Sequence, residues 1–372
     1  LSHAIKAARP ACIAHRRGAR RGAGGLPAPG RGIYLARQGK YEEAQAIVDA
    51  LRGEFAARPN AEVTGWISLV EALIQFYSQP GPKALDRLRR AHALSRAMNH
   101  PVLVPLCAAW LAHIEFNAKR MEAMRQYAVE ALRLAQPAHP AALARVNLVI
   151  ADAFHYAGRF DLAKPWYAAV REHALAEGDD AMISAMLHNV AALRANQVRL
   201  ADAFDQPQHE EAKRALLELE STGNYDFGIG TLSLALLIPL VRAQLLMALG
   251  RFADAVPLYS ATLDKQNTEN LERREACFLA ERALCLARIG QVEAARADVD
   301  AACARIANRA DPDDIAAMHA RVAEVLNQLG QRKRSAEHMG LAMEYGRRHL
   351  DAQAELLGQL ERAFPDPPRP ST

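Results

Sequence analysis

Gly158-Arg159-Phe160-Asp161-Leu162-Ala163 is the stretch whose reading decides the fold. A glycine suits the left-handed backbone that ends one helix and reverses the chain. An aromatic two residues later can plug the gap between the two helices so joined. A small residue five after the glycine lets their axes approach to the near end of the usual spacing, about 8–10 Å. The same punctuation stands at Gly39-Lys40-Tyr41-Glu42-Glu43-Ala44 and Gly250-Arg251-Phe252-Ala253-Asp254-Ala255.

Weaker copies begin at Gly290, Ala118 and Asn196, and degenerate ones at Gln79 and Gly330. The anchors 39, 79, 118, 158, 196, 250, 290 and 330 are separated by 40, 39, 40, 38, 54, 40 and 40 residues. Five after each anchor stands Ala44, Ala84, Ala123, Ala163, Ala201, Ala255, Ala295 or Ser335. Seven before it the column reads Gly32, Ala72, Leu111, Ala151, Asn189, Ala243, Ala283 and Ala323. A fixed period of this length is the signature of a stacked-repeat architecture. The spacing predicts an all-α solenoid of about eight helical hairpins.

These columns resemble the tetratricopeptide repeat (TPR) family over about residues 31–350. The resemblance implies antiparallel helix pairs in a right-handed superhelix, the first helix of each pair lining a concave groove. The usual repeat has about 34 residues, so a period near 40 adds almost a turn to each helix. That longer variety is similar to repeats attached to bacterial signalling enzymes and transcriptional activators. The 54-residue interval implies an insertion at about 202–224. There Asp205-Gln206-Pro207 should break a helix, a polar helix Gln208–Glu220 should follow, and Ser221-Thr222-Gly223-Asn224 should turn. A capping helix is expected over 351–364, and a proline-rich tail over 365–372.

Composition narrows the function classes. The formal charge is +4, yet nine basic side chains and no acid lie in residues 1–41, leaving 37 basic against 42 acidic over the rest. A nucleic-acid binder carries its positive charge on the fold itself, so no nucleic-acid partner is expected. Residues 1–30 read as a disordered basic leader. Their Arg-rich, acid-free composition is also that of an organellar transit peptide, although Pro10 and the glycines from Gly18 to Gly25 break the amphipathic helix such a peptide needs. No apolar run approaches about 18 residues, so no membrane partner is expected. Cys12, Cys107, Cys277, Cys285 and Cys303 show no C-x-x-C spacing and read as reduced thiols of a cytoplasmic protein.

Catalytic motifs are missing or broken. The glycines of residues 18–32 lack the Lys-Ser/Thr ending of a phosphate loop. His209-Glu210-Glu211-Ala212-Lys213 has a lysine where a zinc-protease helix needs its second histidine. Asp311-Pro312-Asp313-Asp314 reads as an ordinary helix start rather than a metal site. The chain is therefore expected to be no enzyme, with no cofactor, catalytic residue or metal.

With the first helices registered on their anchors, positions 10, 6, 3 and 2 before the anchor share one face. The groove set is then Tyr77, Glu115, Phe116, Asp152, His155, Tyr156, Arg194, Gln244 and Arg288, with Arg145 one further turn back pointing the same way. Aromatic faces among carboxylates and guanidiniums suit a peptide-binding surface. Two other readings stand beside it: packing between repeats with Asp152 and His155 as a solvated pair, and a metal or catalytic site on Glu115, Asp152 and His155. The leading function is a scaffold or adaptor that holds a protein or peptide. The alternative is the sensory module of a bacterial signalling system (cyclic-dinucleotide or transcriptional) lacking its output domain.

Overall fold

The left-handed glycines stand where the hairpins turn. Gly39, Gly158, Gly250, Gly290 and Gly330 all have φ between 73° and 84°. At Gly158 the closure is complete: its N–H donates to His155 O at 3.0 Å and the Arg159 N–H reaches back to Phe154 O at 2.9 Å. Carbonyls that the ended helix would leave unpaired are thereby satisfied. The computed structural model describes residues 28–78, 82–229, 238–263, 274–306 and 310–368.

Sixteen helices and no strand occur among the described residues, and they fall into eight consecutive pairs. These are α1 (Ala28–Arg37) with α2 (Tyr41–Glu54), α3 (Ala61–Ser78) with α4 (Pro82–Ala97), α5 (Leu103–Asn117) with α6 (Met121–Leu134), and α7 (Pro140–Tyr156) with α8 (Phe160–Glu177). Then come α9 (Asp180–Ala203) with α10 (His209–Ile229), α11 (Ile238–Ala248) with α12 (Phe252–Leu263), α13 (Glu275–Arg288) with α14 (Val292–Ala304), and α15 (Pro312–Gln328) with α16 (Arg332–Ala363). The pairs stack in chain order as a helical-repeat solenoid. The small columns lie in the core: Ala44, Ala72, Ala84, Ala151, Ala163, Ala243, Ala255, Ala283, Ala295 and Ala323 are buried. Where Ser335 replaces alanine, its hydroxyl donates to Ala323 O at 2.8 Å. A Cβ on Gly32 would meet the Val70 methyls at 3.1 and 3.2 Å, so that crossing is set by a missing side chain.

Two anchors move. In the third pair the left-handed residue is Lys119 (φ 58°), one place after the expected Ala118. The small positions shift with it: Met124 is buried while Ala123 is half-exposed, and Ala112 replaces Leu111 in the earlier column. In the fifth pair α9 runs straight through Asn196, and the turn is at Asp205 (φ 55°), where the Gln206 N–H donates to Ala201 O at 2.8 Å. The expected break at Asp205–Pro207 and the helix after it are present, and the expected turn at 221–224 is not. The extra residues of the insertion lengthen α9 to 24 residues and α10 to 21, and Ser221 to Asn224 stay helical, Thr222 donating its hydroxyl to Glu218 O. Lys119 and Asp205 hold the turns because chain closure outweighs the modest cost of a left-handed non-glycine residue.

The ends differ too. Helix α1 takes in residues 28–30, which were expected in the leader. Residues 1–27, the anchor at Gln79 and residues 369–372 lie outside the described set. No break at 350/351 separates a cap, since α16 is one helix of 32 residues. Its far half extends over the third and fourth pairs. Leu356, Leu360 and Phe364 are buried in the cluster that holds Trp166, with the Phe364 and Trp166 rings at 5.9 Å. Full burial of such side chains stabilises by about 1.5–3 kcal/mol each. Gln353 also donates its amide to Tyr156 O.

Polar links cross the superhelix axis as well. Arg37 at the end of α1 pairs with Asp179, which also caps α9 by accepting from the Met182 N–H at 2.9 Å. Arg199 in α9 has 0% side-chain exposure and joins three helices. Nη1 reaches Asp314 Oδ1 at 2.7 Å and Glu281 Oε1 at 3.7 Å, and Nη2 lies 3.6 Å from Asp313 Oδ2. Burial pulls the Arg199 pKa down, and Cys277, Asp314, Glu281 and Asp313 more than reverse it. Removing one partner of a buried ion pair typically costs about 3–5 kcal/mol because the other charge is stranded. Arg199→Met should therefore lose roughly that much unfolding free energy in urea titrations. A loss under about 1 kcal/mol would show that the link holds nothing.

Candidate ligand-binding cavity on the inner face

The residues expected to line one groove separate into three environments. Glu115 faces away from it, because the one-place shift of the third anchor moves it into a core-facing register. There it is buried between Arg89, at 3.1 Å, and Arg120. Arg194 also leaves the groove. With the turn at Asp205 its side chain points at α10, with Nη1 3.0 Å from Glu211 and Nε 3.2 Å from Glu218. Arg288 is exposed and pairs with Glu324.

A second set faces inward and is consumed by internal contacts. Asp152 is buried and accepts from the Tyr167 hydroxyl at 2.8 Å and from Asn189 Nδ2 at 2.6 Å. His155 is buried beside it, Nδ1 lying 3.2 Å from the same hydroxyl. They form a dry network, where a solvated pair was one of the expectations. Gln244 is buried and donates to both oxygens of Glu281, at 3.1 and 3.0 Å. Phe116 and Tyr156 meet edge to face at 6.2 Å, and Lys119 Nζ sits 3.6 Å from the Tyr156 ring centroid. The His349 ring covers Tyr156 from α16 at 5.7 Å.

The metal reading fails with Glu115, whose oxygens are taken by arginines on the far side of its helix. Among the described residues, one acidic group has metal-like spacing: Asp311, Asp313 and Asp314. Asn196 and Arg199 engage Asp313, and Arg199 and Arg274 engage Asp314. Two of the three carboxylates are thus already held by arginine.

Arg145 belongs to the third environment, an open cavity of about 750 Å³ between the first helices of the opening pairs and the start of α9, which Tyr77 does not line. Tyr77 packs on Trp110 at 6.2 Å, behind the wall. Trp66, Trp110, Phe55, Ile33, Leu106 and Met182 supply most of the apolar lining. The volume is that of a small-ligand or peptide side-chain pocket, typically about 300–1,000 Å³. Its wall is fixed at one point by His100, whose Nδ1 accepts from the first N–H groups of α5, at 3.2 and 3.1 Å. The same ring packs on Trp66, at 6.1 Å, and its Nε2 lies 3.0 Å from Glu62. Arg145 is 1% exposed, with its guanidinium 3.8 Å from the Trp110 ring centroid. Burial draws its pKa down to about 10, so it remains cationic at neutral pH.

The motif columns did not point to Trp66 or Trp110. A compositional signal existed: the chain has three tryptophans, and two of them line this cavity. A second, wider depression of about 1150 Å³ lies between the α9–α10 turn and α16, lined by Leu200, Phe204, Met343, Arg347 and Gln353 among others. No helix of the described residues is long and apolar enough to cross a membrane.

No family model and no curated protein matches the sequence. Solved structures do match. The chain is similar to a Rap protein crystallised in complex with Competence and Sporulation Factor, at 12% identity and a TM-score of 0.56, over 89% of this chain and 98% of that one. It is also similar to the apo form of RapI, at 12% identity and a TM-score of 0.49, over 77% and 98%. The shared feature is the fold. The chain is a helical-repeat solenoid.

The Asp152–His155 network has a pH signature. Burial raises Asp152 to about 7, with the Tyr167 and Asn189 hydrogen bonds pulling back. Burial, with Arg194 adding, lowers His155 to about 4. Between about pH 4 and 7 the folded Asp152 holds a proton that the unfolded chain has released, so its contribution to stability falls as pH rises. His155 does the reverse: the unfolded chain holds the extra proton from about pH 4 to 6.5, so stability rises with pH. The two slopes oppose each other. Asp152→Asn should unmask the histidine, so that unfolding free energy climbs from about pH 4.5 to 7 and exceeds wild type at pH 8, by urea denaturation. A variant whose profile parallels wild type would remove Asp152 as a titrating group.

Proposed function

We propose that the chain is a non-catalytic TPR-type adaptor or regulator that holds a peptide, or an extended segment of a protein partner, on the inner face of its opening repeats. The observation that carries this reading is the apolar cavity walled by Trp66 and Trp110. Elsewhere Arg199, Asp152 and Gln244 are held in internal contacts, and the wider depression beside α16 presents no tryptophan. Aromatic side chains in a recess are the usual anchors of a recognition surface, because they bury large area at small entropic cost. The likeness to a Rap protein complexed with a factor agrees with a superhelix of this shape receiving a ligand. A cytoplasmic setting belongs to the same reading. Cys107, Cys277 and Cys285 are buried free thiols, and Cys303 is a half-buried one.

Panning a random-peptide display library on the full chain tests the idea. Enriched peptides should bind in the micromolar range and quench tryptophan fluorescence. Trp66→Ala should weaken them by about 30-fold or more, the scale of a hot-spot residue. Met343→Ala, in the depression beside α16, should leave the affinity unchanged. Enrichment of no peptide, or of peptides indifferent to Trp66→Ala in a variant that still melts cooperatively, would sink the proposal.

A further inference from the structure

We infer that the Trp66–Trp110 cavity takes an apolar ligand bearing a carboxylate, and that Arg145 reads the carboxylate. The inference rests on the cavity being the binding site, and it adds the chemistry of the occupant.

The cavity wall holds a cation with open donors. Arg145 lies on α7, 1% exposed, and its Nε and Nη2 are buried without a hydrogen-bond partner among the described residues. A buried polar group in a folded protein is nearly always satisfied, and a buried cation is ordinarily paired. The two carboxylates whose fields reach it are both engaged elsewhere. Asp179 takes Arg37 and caps α9. Asp152, two turns along the same helix, accepts from Tyr167 and Asn189. Of the acids along the cavity, Glu62 meets His100, Glu177 has interactions of its own, and Glu54 is exposed to solvent. The face of Trp110 offsets part of the cost of the guanidinium, since a cation over an indole is attracted by its quadrupole. It accepts no hydrogen bond from the open N–H groups.

The shape of the deficit selects the ligand. Nε and one Nη are adjacent donors of the guanidinium fork, which matches the two oxygens of a carboxylate. A neutral carbonyl would leave the charge uncompensated. A phosphate carries three oxygens and up to two charges, more than the one unpaired cation here balances, and the apolar walls do not solvate the remainder. Between those limits a single carboxylate attached to an apolar or aromatic body fits both the arginine and the tryptophans. Such a group is found at the C-terminus of a short peptide and in a free apolar acid.

Fluorescence polarisation on the full chain separates these sources. The probes are a fluorescein-labelled random tetrapeptide pool ending in phenylalanine with a free carboxylate, the same pool as the C-terminal amide, and phenylhexanoate as competitor. The acid pool should bind about 10- to 100-fold more tightly than the amide pool, the range of a charge-assisted hydrogen-bonded pair. Arg145→Met, which keeps the stem against Trp110, should abolish that difference. It should melt at or above the wild-type temperature, because it removes an unpaired buried charge. Arg145→Lys keeps the cation and should retain part of the preference, which guards against a misfolded methionine variant.

Equal binding of acid and amide pools would overturn the carboxylate assignment and leave the peptide reading intact. Discrimination that survives in Arg145→Met would do the same. Binding of phenylhexanoate with neither pool bound would uphold the carboxylate and overturn the peptide. No binding by any probe would overturn both.

Discussion

A repeat array has no reason of its own to hold its ends together, because each repeat contacts only its neighbours. This chain is closed across its axis by two guanidiniums. Arg37 ties the first pair to the start of α9, and Arg199 ties α9 to α13 and α15. Each is buried and ion-paired, so the geometry of its partners limits how the joined pairs can sit. That placement in turn decides which parts of the inner face are filled and which are left open. The polar residues that would line a groove in a looser spiral here face one another.

The hairpins were legible because their physics is local. A glycine at a turn and an alanine at a crossing answer to neighbours within one repeat, so Gly158, Gly250, Gly290 and Gly330 announce themselves. Lys119 and Asp205 do the same backbone work without a glycine, and nothing in their identity marks the left-handed conformation. Misplacing the first by one residue put Glu115 on the wrong face. Misplacing the second by nine hid Arg199, which falls on the inner face only when the helix is counted back from Asp205.

The candidate site was harder to read for a different reason. Arg145 was placed on the inner face from periodicity. Its lack of a partner is a property of residues far away in sequence, and so is the engagement of Asp152 and His155. Trp66 and Trp110 stand on successive first helices and converge only through the superhelical rotation. Periodicity gives the face of each helix; it does not give what the opposite wall brings to meet it.

The far half of α16 bears on how the protein is made. Its burial of Leu356, Leu360 and Phe364 against the Trp166 cluster joins the last part of the chain to its middle. Synthesis delivers the N-terminal part first, so the third and fourth pairs emerge from the ribosome with that apolar surface uncovered. They stay so until the final helix arrives. A nascent chain stalled before that point, or a product clipped near its end, would present a sticky patch on otherwise finished repeats. The same long-range contact ties the eighth pair to the third and fourth.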